Sequence, residues 1–129
     1  GFLGFLSEYL KVNNFLEVYS HKSQFPMSGG GFDLHKSSLD FVKKNVLSEF
    51  GKNVLRIKFF PDKRSKINAI NSCNPLFFID DLVDVLLKLN CSITPILFFG
   101  PQEQNMGAVG YNGIEVSNWS QLNHILQVR

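Results

Sequence analysis

This sequence of 129 residues has few cysteines, a small net charge and no long apolar run. The two cysteines, Cys73 and Cys91, are too few for a disulfide framework and are not spaced as a zinc or redox pair. We therefore expect free thiols and a cytoplasmic protein. A formal net charge of +2 gives no general surface for a polyanion such as nucleic acid. Apolar runs such as 93–100 fall far short of the roughly 20 residues that a spanning helix needs, so we predict no membrane partner.

Motifs for metals, cofactors and catalysis are also missing. His21, His35 and His124 lie far apart in sequence and do not form a two-histidine helix spacing, which predicts no metal site. The stretch Gly30 to Ser37 is one residue short of a phosphate-binding loop, and His35 stands where the second glycine belongs. We interpret it as an ordinary loop and predict no cofactor. Neither a Gly-x-Ser-x-Gly elbow nor an obvious pair of strand-end carboxylates is present, so no catalytic residue is predicted.

The residues that are present predict alternating strands and helices. Short runs of β-branched and aromatic residues predict three strands, at Phe15 to Ser20, Asn53 to Phe60 and Ile93 to Phe99. Apolar residues at helical spacing predict three helices, at Ser37 to Phe50, Asn74 to Asn90 and from Ser117 or Asn118 to Arg129. Phe2 to Leu10 is predicted to form a further helix that covers a sheet edge.

Several local features are tied to these predictions. Leu39, Val42, Val46 and Phe50 are expected to form one buried stripe of the first of the three helices, which ends before Gly51. Asp80, Asp81 and Asp84 are expected to stabilise the positive end of the second helix. The segment from Pro61 to Pro75 is expected to be a loop. The basic side chains of Lys58, Lys63, Arg64 and Lys66 are expected to be exposed there and just before it.

The order strand, helix, strand, helix, strand, helix predicts an α/β fold with a parallel sheet and right-handed crossovers. Three consecutive βα units are too few for a closed or doubly wound sheet, so we predict the first three units of a longer α/β architecture. Residues 1–129 then form a single partial domain, in which 1–12 are an N-terminal edge helix or linker. A free-standing flavodoxin-like binding module is an alternative that rests on the alternation alone.

Phe78 to Leu87 reads FIDDLVDVLL, and Thr94 to Gly100 reads TPILFFG. These two segments resemble the Y-I-D-x-x-x-D-x-L-L helix and the K-P-F-V-E-L strand of family 39 glycoside hydrolases, which include β-xylosidases and α-iduronidases. Leu55 to Lys58 resembles the preceding Y-I-R-F-H strand, and Trp119 to Leu122 a later W-x-x-L helix. The resemblance spans about residues 37 to 129 and implies that the chain is a fragment of a TIM-type (β/α)8 barrel, with the first three strands present.

The departures from the family pattern favour a role without catalysis. Lys58 stands where the family has histidine, and Phe98 where it has glutamate. The family's acid/base glutamate lies in an N-E-P motif that is absent here, and its nucleophile cannot be assigned. The same barrel occurs, by resemblance, in AraC-type transcription regulators of low-GC bacteria, whose helix-turn-helix lies in a separate part of the chain. We therefore favour a ligand-sensing or dimerisation domain of such a regulator, with a family 39 hydrolase fragment as the alternative.

If a carbohydrate-like ligand binds, it is expected at the carboxyl ends of the strands, because barrel sites lie there. This predicts His21, Lys58, Phe60 and Phe99 as ligand-binding residues. The competing interpretation makes Phe60 and Phe99 core residues and His21 a solvated loop residue. DNA would be contacted only through a separate helix-turn-helix. Unpaired sheet edges further predict that the chain associates with itself.

Overall fold

The computed structural model describes residues 1–13, 15–21, 34–51, 54–99 and 110–127. The strands are β1 (Leu16–Ser20), β2 (Leu55–Phe59), β3 (Phe77–Asp80), β4 (Thr94–Phe98) and β5 (Ile114–Val116). The helices are α1 (Phe2–Tyr9), α2 (Leu34–Val42), α3 (Ser48–Phe50), α4 (Lys63–Cys73), α5 (Val83–Leu86) and α6 (Trp119–Gln127). A π-helical turn, Lys43–Leu47, joins α2 to α3.

All strand pairs in the described part of the chain are parallel, which confirms an α/β fold with parallel sheets. One sheet pairs β1 with β2, and the other has the order β3-β4-β5. Within each sheet, strands that follow one another in sequence are also hydrogen-bonded neighbours. The predicted number of three strands is wrong, because β3 and β5 were not recognised from the sequence.

The chain divides into two compact units, and each is described by itself. The first unit, called the β1–β2 unit, is Leu6–Lys66, and the second, called the β3–β5 unit, combines Gly1–Phe5 with Ile67–Arg129. The predicted N-terminal helix is present as α1, while its suggested role at a sheet edge stays a prediction.

Helical structure from Leu34 to Phe50 supplies the core of the β1–β2 unit. Val42 and Val46 are buried, as the periodicity predicts, and α2 packs against β2, where Leu55 is buried too. Leu39 was predicted on the same stripe, but half of its surface is exposed. The helix ends as predicted at Gly51, whose φ of 93° lies in the region that glycine tolerates without strain.

The predicted loop from Pro61 to Pro75 is wrong, since most of it forms α4. Asp62 caps this helix: its Oδ1 accepts a hydrogen bond from the backbone N–H of Ser65, with N and O 2.7 Å apart. Ile67 and Ile70 are buried three residues apart on one face. Lys66, which was predicted to be exposed in a basic loop, is also buried.

The predicted helix from Asn74 to Asn90 is also wrong over most of its length. Asn74 has a φ of 50° and follows the last residue of α4, so it ends one helix instead of starting another. Phe77–Asp80 form β3, and only Val83–Leu86 are α-helical. Asp80 is therefore at a strand end, where its Oδ1 accepts a hydrogen bond from the Leu82 backbone N–H at 2.9 Å.

The predicted C-terminal helix is present as α6. Asn118 caps it, because its Oδ1 accepts the backbone N–H of Gln121 at 2.9 Å. Trp119, the first residue of α6, lies in an aromatic cluster in which its ring centroid is 4.6 Å from that of Phe98, 5.2 Å from Phe5 and 5.3 Å from Phe2. The start of α1, the end of β4 and the start of α6 are thus packed together within the β3–β5 unit.

None of the helices in the described ranges combines the length and the apolar character that crossing a membrane requires.

Candidate ligand-binding site

The two faces of the β1–β2 sheet differ in chemistry. Side chains alternate along each strand, so Leu55, Ile57 and Phe59 share the face that packs against α2. The ring of His35, near the start of α2, stacks on Phe59 with centroids 3.9 Å apart. The opposite face, called here the charged face, carries Phe15, Glu17, Tyr19, Arg56, Lys58 and Phe60.

A chain of hydrogen bonds runs across the charged face. The register pairs Tyr19 with Lys58, so these two side chains lie side by side. The Lys58 ammonium donates to the Tyr19 hydroxyl at 3.4 Å, and this hydroxyl donates to Glu17 Oε2 at 3.2 Å. Lys58 Nζ is also 3.6 Å from Glu17 Oε1. Since both hydrogen bonds are long, each is weak and easily exchanged for another partner.

Aromatic rings flank these polar groups. The centroid of Phe60 is 5.3 Å from that of Tyr19, and the Lys58 ammonium lies 5.2 Å from the Tyr19 centroid. At the other end of the strands, the Arg56 guanidinium lies 4.9 Å from the Phe15 ring centroid. The carboxyl end of this sheet, with Tyr19, Lys58 and Phe60, therefore combines flat aromatic surface with hydrogen-bond donors and acceptors.

Three of the four predicted site residues lie at this carboxyl end. The backbone N–H of Phe60 donates to the Ser20 carbonyl at 2.7 Å, which extends the ladder beyond β2 and brings His21 level with Phe60. The Nδ1 atom of His21 is buried and has no hydrogen-bond partner among the described residues. A buried, unsatisfied ring nitrogen is uncommon and is a point at which a polar ligand group would be stabilised.

Phe99, the fourth predicted residue, belongs to the other unit. It follows β4, its backbone N–H donates to the Val116 carbonyl at 3.0 Å, and its ring packs against the buried residues Leu86, Leu97 and Tyr111. Phe99 therefore contributes to the hydrophobic packing of the β3–β5 unit, as the competing interpretation expected.

Sequence reasoning missed Glu17 and Tyr19. Their spacing of two in a strand places them on one face, but only the register with β2 shows that Lys58 is their neighbour. The exposed fraction of the Lys58 side chain is 52%, against 21% for Glu17, so the ammonium is the accessible end of this cluster.

A concave feature lies in the β3–β5 unit, between β5 and α6. It is an open groove of about 460 Å³ lined by Glu115, Val116, Ser120, Gln121, His124 and Ile125. No predicted site residue lines it, and the side-chain oxygen of Gln121 already accepts from the Ser117 backbone N–H at 2.8 Å. Within the described ranges, no three histidine, cysteine or acidic residues are grouped so that they could hold a metal ion. Residues 30–33 of the possible phosphate-binding stretch lie outside the described residues.

The fold and this arrangement define an α/β protein with parallel sheets and a mixed polar and aromatic surface at one sheet end. Comparison with protein-family models, curated proteins and solved structures gives no match to this chain.

Proposed function

We propose that this chain is a non-catalytic ligand-sensing domain, and that it binds a small carbohydrate-like molecule at the carboxyl end of the β1–β2 sheet. The observation that carries the proposal is the Lys58, Tyr19 and Glu17 hydrogen-bond chain beside the Tyr19 and Phe60 rings. A sugar has an apolar C–H face that packs on an aromatic ring and a hydroxyl rim that needs both donors and acceptors. Lys58 donates, Glu17 accepts and Tyr19 does both.

The barrel-fragment reading is part of the same proposal. In each sheet the parallel strands follow one another in sequence order, with helices between β1 and β2 and between β3 and β4. A (β/α)8 barrel winds in this manner, whereas a doubly wound sheet reverses its order at the centre. In such a barrel the charged face, which is opposite α2, is the interior face, and ligands bind at its carboxyl end.

We further propose that the domain serves an AraC-type regulator in the cytoplasm, and that DNA is contacted only by a separate helix-turn-helix. The support is the resemblance of residues 94–100 to the family's strand, which is β4 here, together with the loss of the family's acidic residue from that strand. The resemblance of residues 78–87 to a family helix adds no support, because Phe77–Asp80 form β3. Phe98, which stands in place of the family's glutamate, packs on Trp119. The function that follows is sensing or dimerisation without turnover.

The alternative, a family 39 hydrolase fragment, requires two carboxylates on opposite sides of a glycosidic bond. The charged face carries one carboxylate, Glu17, and that group already accepts from Tyr19. Hydrolysis of an aryl β-xyloside by a longer protein that contains these residues and the N-E-P glutamate would support the alternative. The neighbouring coding sequence also distinguishes the two hypotheses. A helix-turn-helix encoded there supports the regulator, and an N-E-P glutamate supports the hydrolase.

Ligand binding is tested by titrating the ¹⁵N-labelled chain with D-xylose, D-glucose and D-glucuronate and following amide chemical shifts. We expect one of these sugars to shift resonances of Tyr19, Lys58 and Phe60. Lys58→Met keeps most of the side-chain length but removes the charged donor, and should weaken binding by about tenfold or more. Lys44→Met, at an exposed helical lysine, is the matched control and should leave affinity unchanged. Equal affinities for both variants, or no shifts with any sugar, would overturn the proposal.

A further inference from the structure

Asn112 and Gly113 connect Tyr111 to β5 in the β3–β5 unit. They form the only asparagine–glycine pair in the sequence, and both residues are exposed. Neither the Asn112 side-chain amide nor the Gly113 backbone N–H makes a hydrogen bond to another residue of the described ranges. The side-chain carbonyl carbon of Asn112 and the backbone nitrogen that follows it are therefore open to water and free of competing bonds.

The chain is held in place on both sides of this pair. Tyr111 is buried, and its hydroxyl lies 3.0 Å from the Pro95 carbonyl oxygen and 2.8 Å from that of Ile114. Ile114 is also paired with Ile96 in the register of β5 on β4. The residues before and after the pair are thus fixed to β4, while Asn112 and Gly113 themselves face water.

The same packing disfavours a side chain that would shield the Gly113 nitrogen. A Cβ at Gly113 would lie 2.5 Å from the Tyr111 hydroxyl oxygen and 2.6 Å from Cζ, so the ring would have to shift. A side chain on the residue after an asparagine hinders attack by its backbone nitrogen on the asparagine Cγ, and glycine offers no such hindrance. The close approach of the Tyr111 ring therefore favours the least hindered residue next to Asn112.

We infer that Asn112 is a site of spontaneous deamidation, with water as the co-reactant. The Gly113 nitrogen loses its proton to hydroxide and attacks Asn112 Cγ, which closes a succinimide ring. The bond from Cγ to Nδ2 breaks, and the nitrogen takes up a proton and leaves as ammonia. Water then opens the ring at either carbonyl. Breaking the new bond to Cγ gives aspartate, whereas breaking the original peptide bond gives isoaspartate, in which the main chain runs through Cβ and Cγ.

Isoaspartate at position 112 would disturb the start of β5. It adds one methylene to the main chain between Tyr111 and Ile114, whose spacing sets the 2.8 Å contact between the tyrosine hydroxyl and the Ile114 carbonyl. Aspartate keeps the original backbone and places its carboxylate at an exposed position. The two products of one reaction therefore differ in their effect, and the isoaspartyl form is the one that loosens the contact of β5 with β4.

The experiment incubates the full chain in native buffer and in urea and follows intact mass and digested peptides. We expect a mass gain equal to the exchange of one NH2 for OH, located at Asn112, with two products of equal mass that separate by chromatography. The isoaspartyl product should accept a methyl group from S-adenosylmethionine when an isoaspartyl methyltransferase is added. The reaction should be faster at pH 8 than at pH 6, because the attacking nitrogen must first lose its proton. A mass gain that occurs in urea and stops in native buffer would overturn the inference.

Asn71 is the internal control for the chemistry of asparagine. It precedes a small residue, Ser72, but it lies within α4 and its side chain bonds the Asn90 backbone N–H and the Lys88 carbonyl. We expect Asn71 to stay intact while Asn112 reacts. Asn112→Gln is the matched variant: it keeps an exposed amide but places it one methylene farther from the nitrogen, so ring closure should slow by about tenfold or more. Deamidation of Asn71 before Asn112, or an Asn112→Gln chain that reacts at the wild-type rate, would contradict the assignment.

The effect on β5 is tested with the separated products. The isoaspartyl chain should have a Tm about 4 °C below that of the Asn112→Asp variant, a shift typical of losing one hydrogen bond in a chain of this size. Asn112→Asp should match wild type, because it retains the backbone and the position is exposed. An isoaspartyl chain with the same Tm as Asn112→Asp would contradict the effect on β5.

Discussion

Tyr111 shows how one side chain joins two strands. Its hydroxyl lies 3.0 Å from the Pro95 carbonyl oxygen and 2.8 Å from that of Ile114, so it bridges the neighbouring strands β4 and β5. Its ring is buried beside Gly113, where a Cβ would be 2.5 Å from the hydroxyl oxygen and 2.6 Å from Cζ. A side chain at residue 113 would therefore force the Tyr111 ring to shift, because the ring occupies the space of the Cβ.

We predict that Tyr111→Phe lowers the free energy of unfolding by about 1 kcal/mol, because two strand carbonyls lose their shared donor. Gly113→Ala should cost more, about 2 kcal/mol, since the rigid ring and its hydrogen bonds must both shift. Urea denaturation followed by circular dichroism measures both values. Gly4→Ala is the control, because a Cβ at Gly4 meets no atom within 4 Å; since Gly4 lies within α1, where alanine is favoured over glycine, this variant should be at least as stable as wild type. A Gly113→Ala variant as stable as wild type would contradict the close approach described here.

Some residues of the candidate site could be predicted from the sequence, and others could be found only from the structure. Lys58, Phe60 and His21 were predictable because they stand at or just beyond the ends of recognisable strands. Glu17 and Tyr19 were not, because their importance comes from the register that sets Tyr19 beside Lys58. Register depends on packing between distant segments, and no local pattern encodes it.

At the scale of elements, β1, β2 and β4 were predictable because each is a short run rich in β-branched and aromatic residues. α4 was not, because its sequence KRSKINAINSC is mostly polar and has only Ile67 and Ile70 to mark a buried face. β3 was hidden within a helical spacing that runs from Ile79 to Leu89, and tertiary pairing with β4 decided its conformation. β5 is a three-residue strand, too short for periodicity to reveal.

Asp62 provides the element-scale prediction, because it caps the helix that the sequence concealed. Hydrogen bonds from the backbone and side chain of Ser65 hold the pKa of the Asp62 carboxyl below its usual value. The stabilisation that they provide is present above the unfolded-state pKa and is lost as pH falls through the lower folded-state pKa. Asp62→Ala should therefore lower the urea midpoint at pH 7, and Asp62→Asn should lower it less, because the amide oxygen still caps the helix.

The pH dependence separates capping from a general loss of charge. The difference in urea midpoint between wild type and Asp62→Ala should shrink below about pH 4, where the carboxyl becomes protonated. Asp40→Ala, at an exposed position within α2, is the matched control. It should lower the urea midpoint at pH 7 by less than Asp62→Ala does. A wild-type difference that stays constant down to pH 2 would contradict the cap.

At the scale of the whole molecule, the two sheets have the same kind of topology. Each is parallel, and each keeps the sequence order of its strands. Each sheet of the described residues also ends in edge strands: β1 and β2 in one, β3 and β5 in the other. Edge strands present unpaired backbone groups, which proteins cover with other elements or with a second chain.

We predict that the chain associates with itself, and that α2 contributes to the contact. Leu39 and Phe41 on this helix are 50% and 52% exposed, and large apolar side chains at a surface favour an interface. Sedimentation velocity over a range of concentrations should show a dimer or higher oligomer. Leu39→Lys combined with Phe41→Lys should shift the population toward monomer, whereas Lys43→Ala with Lys44→Ala, a matched pair of exposed positions on the adjoining turn, should not. A chain that stays monomeric at the highest concentration would contradict the prediction, because its strand edges would then need no partner. If the Leu39→Lys, Phe41→Lys variant still associates, the contact lies at the strand edges instead of at α2.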